Sequence, residues 1–336
     1  MRASATALVI GGGIIGLFTA QALHAEGFAV TVLDQGELGG AASWAGGGIL
    51  SPLPPWQASE AIWALVRDSL AVYPQTCALL AEATGIDPEW LPSGMRVCAV
   101  DDLAEAEAWA ARSGCAIARC PDSDELWLPW VTQLRNPLLC RALVAHLRQQ
   151  GVVLHAHTAV TACLRDGPGV IVQTASGRHQ ADITVLTAGA WTAGVAASLG
   201  WSLPIAPVKG QMIALQGAPG LLPHIVLRQG RYLIPRRDGV VLVGSTLEHA
   251  GFNAQLDGTT ASELERFAQE TWPALSGAPR IAHWCGFRPG TPTGAPCIGA
   301  HPELPGLFVN AGHFRYGLTM APASAQRLLH AVKAAQ

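Results

Sequence analysis

Two short apolar runs, Ala7-Leu8-Val9-Ile10 and Ala29-Val30-Thr31-Val32-Leu33, lie near the start of the chain without a polar face. Runs of this length and composition predict strands buried on both faces of a parallel sheet. Between them Ile15, Phe18, Thr19 and Ala22 recur at helical spacing up to Leu23, and Gly27 closes the helix. Residues 7–34 therefore read as strand, helix, strand. Val152–Leu154 followed by Val160, and Ile183–Leu186 running into a glycine turn at 187–191, predict further strands of the same layer. From Ile205 to His283 the pattern alternates, as in Met212–Leu215, Tyr232–Ile234 and Val240–Val243, and predicts an antiparallel sheet with a helix at Glu263–Gln269. Met320–Leu329 predicts a helix near the end of the chain. No internal repeat or low-complexity linker separates these regions.

The turn after the first strand sharpens this picture. Gly11, Gly13 and Gly16 stand at G-x-G-x-x-G spacing, and Asp34 ends the second strand. In such a unit the first glycine permits the tight turn, the second lets backbone approach a pyrophosphate, and the third lets helix and strand pack closely. Unpaired N–H groups at the helix start attract the diphosphate, and Asp34 offers oxygens to ribose hydroxyls. Strand, glycines, helix, strand and acid in register predict a dinucleotide-binding unit of the Rossmann type. The segment 39–49, rich in Gly and Ala, has little side-chain bulk and would let backbone run along a large flat cofactor, with Ser43 as a hydroxyl donor.

Length and composition set the frame for these elements. A chain of 336 residues suggests two packed domains. With 50% apolar and 13% charged residues and a formal charge of -3, it has a large core and no basic face for nucleic acid or anionic lipid, so small molecules are the expected partners. Eight cysteines without a Cys-x-x-Cys pair read as reduced, mostly buried thiols. His155-x-His157 lacks a third ligand nearby and is read as packing or surface histidines, so no metal is expected. The apolar stretch Ala5–Leu23 is broken by its glycines, preceded only by Arg2 and followed by His24 and Glu26, which argues against a signal segment. No other span offers the roughly 20 apolar residues of a membrane helix, and a soluble cytoplasmic protein is expected. Eleven tryptophans leave material for a homo-oligomer interface.

Several motifs in order along the chain carry a resemblance: Val9–Gly16, Pro207-Val208-Lys209-Gly210, Tyr232-Leu233-Ile234-Pro235-Arg236, Gly286-Phe287-Arg288-Pro289-Gly290-Thr291 and Ala311–Gly317. With them the chain resembles the D-amino-acid-oxidase-like flavoproteins, and within that family the glycine oxidase branch associated with thiamine biosynthesis. The resemblance implies an α/β fold in which a Rossmann-like FAD-binding domain (1–85, 136–205 and 284–336) is interrupted by an α+β substrate domain (86–135 and 206–283) with a mainly antiparallel sheet. It implies FAD held, without a covalent link, by Gly11, Gly13, Ile14, Ile15, Gly16, Asp34, Gln35, Ala42, Ser43, Gly47, Gly48, Ile49, Val160, Ala188, Gly189, Trp191 and the segment His313, Phe314, Arg315, Tyr316, Gly317, Leu318, Thr319. Related enzymes attach FAD through a cysteine near Gly286, and here Cys285 stands one residue away.

For the chemistry, the resemblance implies that Arg288 and Tyr232 hold a substrate carboxylate, with Arg315 beside substrate and flavin. The planar fork of an arginine suits two carboxylate oxygens. The implied reaction is oxidative deamination of glycine or a small amino acid or amine: hydride passes to flavin N5, O2 becomes H2O2, and the imine hydrolyses, giving glyoxylate and ammonia from glycine. No protein base is needed beyond loss of an ammonium proton. His313 has a ring suited to proton transfer, but its place in a cofactor-contact segment favours a structural role. The alternatives are a D-amino-acid dehydrogenase, a sarcosine-type N-methyl amine oxidase, or a nucleotide-binding protein without turnover. Gly230 and Arg231 precede Tyr232 where the family carries a histidine among other polar residues, and Leu247 follows Gly244-Ser245-Thr246 where a methionine can occur, so the resemblance implies a pocket of different size.

Overall fold

The computed structural model describes residues 5–121, 123–167 and 169–335; Arg2 and the outermost residues of the expected cofactor unit lie outside them. The first strand spans Thr6–Ile10, the helix Ile14–Ala25 and the second strand Ala29–Leu33, paired in parallel from Thr6↔Ala29 to Ile10↔Leu33. They sit in a six-stranded sheet ordered Cys297–Ala300, Leu307–Ala311, Ile183–Leu186, Thr6–Ile10, Ala29–Leu33, Val153–His155. All neighbours in it are parallel except the Cys297–Ala300 edge strand. The helix is buried along Ile14, Leu17, Phe18 and Leu23 because the sheet lies on one side and the helix Gly317–Ala334 on the other.

The antiparallel region is an eight-stranded sheet running Arg280–Gly290, Ala206–Gln216, Val240–Gly244, Arg231–Pro235, Ile225–Arg228, Met95–Cys98, Leu126–Leu128, Ala118–Arg119. Its single parallel junction joins Ile225–Arg228 to Met95–Cys98 and brings residues 91–128 alongside the hairpins. The strand Arg280–Gly290 crosses the expected 283/284 boundary, so its second half belongs geometrically to both units. The helix Gly258–Thr271 covers one face of this sheet, starting at Asp257, whose carboxylate caps Thr259 N–H at 3.0 Å.

Three expectations shift in detail. Val160 does not continue the Val153–His155 strand. The chain turns at His157, with φ of 52°, and Thr158 N–H bonds Asp34 O at 2.6 Å, so Val160–Asp166 opens a separate three-stranded antiparallel sheet. The last helix begins at Gly317, three residues before the apolar pattern does, because its first turn faces a cavity. Of the eight thiols, Cys77, Cys140 and Cys163 are buried and the other five only half-buried, none in a disulfide. His155 ends a strand near His179, while His157 pairs with Glu37 at 2.9 Å.

Pro322 lies inside the Gly317–Ala334 helix and has no N–H for the carbonyl of Leu318. The hydroxyl of buried Tyr73, on the long helix Glu60–Thr84, donates to that carbonyl instead. Ser69, one turn earlier on the same helix, accepts from Ala323 N–H at 3.0 Å. A helix from another part of the chain thereby completes the hydrogen bonding that proline interrupts.

Candidate active site

One elongated cavity runs from Asp34, Gln35, Gly36 and Glu37, past Gly11, Gly13, Ile14 and Ser43, to Tyr232, Arg288 and Arg315. Its first end is built by the opening strand–helix–strand unit. Gly11 takes φ of 109°, a conformation costly for other residues, and Thr187 Oγ1 donates to its carbonyl at 2.8 Å. Gly16 faces away from the cavity: a methyl there would lie 1.8 Å from Gly11 O, so its absence is what lets helix meet turn. The Asp34 carboxylate accepts from Gly12 N–H and Gly36 N–H at 2.7 and 2.8 Å, one on each oxygen. Each oxygen keeps a lone pair for a ligand hydroxyl.

Ser43 Oγ accepts from Ile14 N–H at 2.8 Å. Its own proton is bonded to nothing among the described residues and is available to a phosphate oxygen. The next two amides of the helix, of Ile15 and Gly16, have no intrahelical acceptor and carry the positive end of the dipole. Ile14, Ile15 and Ser43 all line the cavity. This donor set, with small residues on both sides, fits the diphosphate of a dinucleotide.

At the far end Arg288 crosses over Gly210, where a methyl group would have three guanidinium atoms at 2.2 to 2.4 Å as its nearest neighbours. Nη1 of Arg288 donates to Lys209 O and Thr246 O at 3.4 and 3.2 Å, and Nη2 to Ser245 Oγ at 2.7 Å. Three of the five guanidinium N–H groups are thus committed to protein, and two are left for a ligand. Burial pushes the Arg288 pKa down; the neighbouring Tyr232 works against that and Arg315 adds to it. Tyr232 is buried with its hydroxyl 3.7 Å from Met212 Sδ, and among the described residues Arg315 Nη2 reaches only Gly230 O, at 3.4 Å. The carboxylates lining the cavity, Asp34 and Glu37, are both at the opposite end. Two cations and a phenol without a facing acid make this end complementary to an anion.

Behind Arg288 lies Glu248, which accepts from Thr246 Oγ1 at 2.5 Å and Gln211 Nε2 at 2.9 Å and pairs with buried Lys209 at 3.3 Å. Burial works to raise the Glu248 pKa, but these hydrogen bonds outweigh it and hold the carboxyl below its usual range. The group stays ionised near Arg288.

Nearly every residue anticipated from the sequence borders the cavity, including Ala42, Gly47, Gly48, Ile49, Val160, Ala188, Gly189, Trp191, Phe314, Gly317, Leu318 and Thr319. Tyr316 does not: it packs into the apolar cluster around Trp63 and Met320. His313 contributes to the wall, yet both ring nitrogens are sealed and unbonded among the described residues, and burial pushes its pKa down to about 3. The ring is neutral there. Gly286 lines the cavity while Cys285, on the other face of the strand, points its Sγ toward Ala254 O at 3.5 Å. The sequence reading missed Ser245, Thr246 and Asn136, whose Nδ2 holds Ser43 O at 3.0 Å. Only their short polar side chains between apolar runs offered a hint, and that signal is common in loops.

Comparison with known proteins adds an independent line. The model of the FAD dependent oxidoreductase family matches residues 6–331. The chain is 45% identical to the glycine oxidase of Pseudomonas putida over 95% of this chain and 92% of that protein. It is 31% identical to the bifunctional protein ThiO/ThiG of Trichormus variabilis, covering 95% of this chain and 51% of that one. Among solved structures, the crystal structure of glycine oxidase from Geobacillus kaustophilus superposes with a TM-score of 0.92 at 26% identity, covering 98% and 95% of the two chains.

Proposed function

Since the chain belongs to the FAD dependent oxidoreductase family, we propose that it oxidises glycine, or an amino acid nearly as small, with O2 as electron acceptor. The observation that carries this reading is the continuity of one cavity between a diphosphate-type cradle at Ile14, Ile15 and Ser43 and an acid-free end holding Arg288, Tyr232 and Arg315. The 45% identity to a glycine oxidase supports the substrate class.

The residues fit FAD. Ser43 and the Ile15 amide would hold its phosphates, Asp34 its ribose, and the Gly46–Gly48, Ala188–Trp191 and His313–Thr319 segments its ring system. Cys285 faces away from the cavity, which supports a non-covalent link. Bound FAD supplies the electron sink, taking the hydride that leaves the substrate and passing the electrons to O2, with H2O2 as product.

The chain's part is binding and orientation. The two remaining N–H groups of Arg288 match the two oxygens of a carboxylate, and the Tyr232 hydroxyl lies beside them. Arg315 adds positive potential at the same end. With the carboxylate fixed, the α-carbon takes one orientation, and positioning of this kind supplies much of the rate. Among the described residues no carboxylate lines that end: His313 is neutral, and Glu248 is enclosed by Thr246, Gln211 and Lys209. The reaction then needs no protein base beyond loss of an ammonium proton. The division into an FAD unit (1–85, 136–205, 284–336) and a substrate unit (86–135, 206–283), a role in thiamine biosynthesis and a cytoplasmic location belong to the same reading.

The test is an absorbance spectrum of the purified protein, then anaerobic addition of glycine, sarcosine, D-alanine and D-proline, then air. The expected result is a flavin spectrum that bleaches with glycine and returns in air with peroxide. Bleaching that air barely reverses means a dehydrogenase, and a flavin that no amine bleaches overturns the reading.

A further inference from the structure

Arg236 ends the Tyr232–Arg236 motif and is only 7% exposed, yet it lies outside the cavity wall. Its Nη1 donates to Gln133 Oε1 and Leu134 O at 2.9 and 3.0 Å, and its Nη2 to Gly47 O at 2.8 Å. All three acceptors are neutral. Among the described residues no carboxylate pairs with it, because the nearby Glu89 and Asp238 are both taken by Arg135. Burial pushes its pKa down to about 10, so it stays cationic at neutral pH. Burying a cation without a paired carboxylate carries a desolvation cost, and a neutral donor would serve the same three acceptors without it. Something other than stability is needed to account for it.

The geometry of one peptide plane supplies the reason. The bond between Gly47 and Gly48 is trans, so the Gly48 N–H points opposite to the Gly47 carbonyl. That carbonyl faces Arg236, away from the cavity, and the Gly48 N–H therefore faces into it. Neighbouring planes are held the same way: Trp284 Nε1 donates to Ala45 O at 3.0 Å and Leu134 N–H to Gly48 O at 2.9 Å. Gly48 takes φ of 81°, and a methyl there would sit 2.0 Å from Leu134 O, so the loop has little freedom to turn over. A methyl on Gly47 would lie 3.4 Å from the Tyr232 ring, which puts this peptide at the end of the cavity assigned to substrate.

We propose that Arg236 is a positioning residue for the cofactor: it fixes the Gly47–Gly48 peptide and polarises it, so that the Gly48 N–H stabilises negative charge on the reduced flavin. A cation on the carbonyl side of an amide strengthens the N–H on the other side, as in any chain of hydrogen bonds at low dielectric. The inference rests on FAD occupying the cavity with its redox-active end near Tyr232.

The test is the two-electron midpoint potential of the holoenzyme, measured by dye-coupled reductive titration without any amino acid, for wild type, R236M and R236K, with FAD affinity followed by fluorescence. R236M is expected to lower the affinity for reduced relative to oxidised FAD about tenfold, a potential about 30 mV more negative. R236K keeps the charge and should recover most of that difference. A potential within about 9 mV of wild type, a twofold change in relative affinity, in FAD-loaded R236M overturns the proposal. Should R236M not fold, R236K decides: a potential near wild type with weakened FAD binding supports the role, and a potential about 30 mV lower despite the retained cation, or one near wild type with unchanged FAD binding, overturns it. Because no substrate is present, failure here stays separate from failure of glycine to reduce the flavin.

Discussion

Gly210→Ala tests the arginine seat without touching the arginine. The added methyl would start 2.2 Å from Arg288 Nη1, and ordinary contact begins near 3.4 Å, so the guanidinium must retreat by about 1.2 Å. The obstruction is the far end of a flexible side chain and the Gly210 backbone is not in the left-handed region, so the strand itself should tolerate alanine. Displacement of that size breaks the bonds to Lys209 O, Thr246 O and Ser245 Oγ and moves the two N–H groups meant for the carboxylate. Misplacement by about 1 Å costs on the order of 100-fold, or about 2.7 kcal/mol of transition-state stabilisation. The assay is peroxide release with glycine, giving kcat/KM, alongside the flavin spectrum and the unfolding midpoint. We expect kcat/KM to fall about 100-fold, chiefly through KM, with spectrum and stability near wild type. Wild-type kcat/KM in a fully flavin-loaded G210A protein would refute the assignment of Arg288 to the carboxylate.

Three further outcomes follow from the geometry. Ser43→Ala removes both the acceptor for Ile14 N–H and the free hydroxyl, and should weaken FAD about 10- to 30-fold in a fluorescence titration of apoprotein; a Kd within twofold of wild type would remove Ser43 from the phosphate site. Tyr73→Phe leaves the Leu318 carbonyl buried without a donor and should cost about 1–3 kcal/mol in denaturant unfolding, an unchanged midpoint meaning that Pro322 is accommodated otherwise. His313 is neutral in the fold with a pKa near 3, whereas the unfolded chain protonates it near 6.5, so its contribution is complete above pH 6.5 and lost as pH falls toward 3 at up to about 1.4 kcal/mol per pH unit. Unfolding of His313→Asn followed from pH 7 to 4 should show a shallower loss than wild type, and parallel curves would contradict a buried neutral ring.

The nucleotide end of the cavity was legible because its information is local. Gly11, Gly13, Gly16 and Asp34 lie within one strand–helix–strand unit, where Gly11 takes a positive φ and Gly16 packs against Gly11 O, and their spacing nearly determines the geometry. Arg288, Tyr232 and Arg315 were legible only through resemblance, since nothing in the residues near Arg288 announces that three distant segments converge on it. What stayed hidden has a common physical character: partners supplied by remote chain to groups that local structure leaves unsatisfied. Tyr73 serves the carbonyl freed by Pro322 across 245 positions, and Arg236 serves Gly47 across 189. Each looks ordinary in its own segment, a tyrosine on an amphipathic helix and an arginine in a hairpin turn.

Such long-range donors also explain why the cofactor segments need little capping chemistry of their own. The carbonyls of Ser43, Ala45, Gly47 and Ile49 are held respectively by Asn136, Trp284, Arg236 and Thr319, four side chains from four other places in the chain. With these carbonyls held, a glycine-rich loop loses the flexibility its composition suggests, and the Gly48 amide is set in place before any ligand arrives. Preorganised donors need no reorganisation when charge develops. The small residues at 45–48 then have a single physical role: they let backbone, rather than side chain, form the wall against which the cofactor's charge changes.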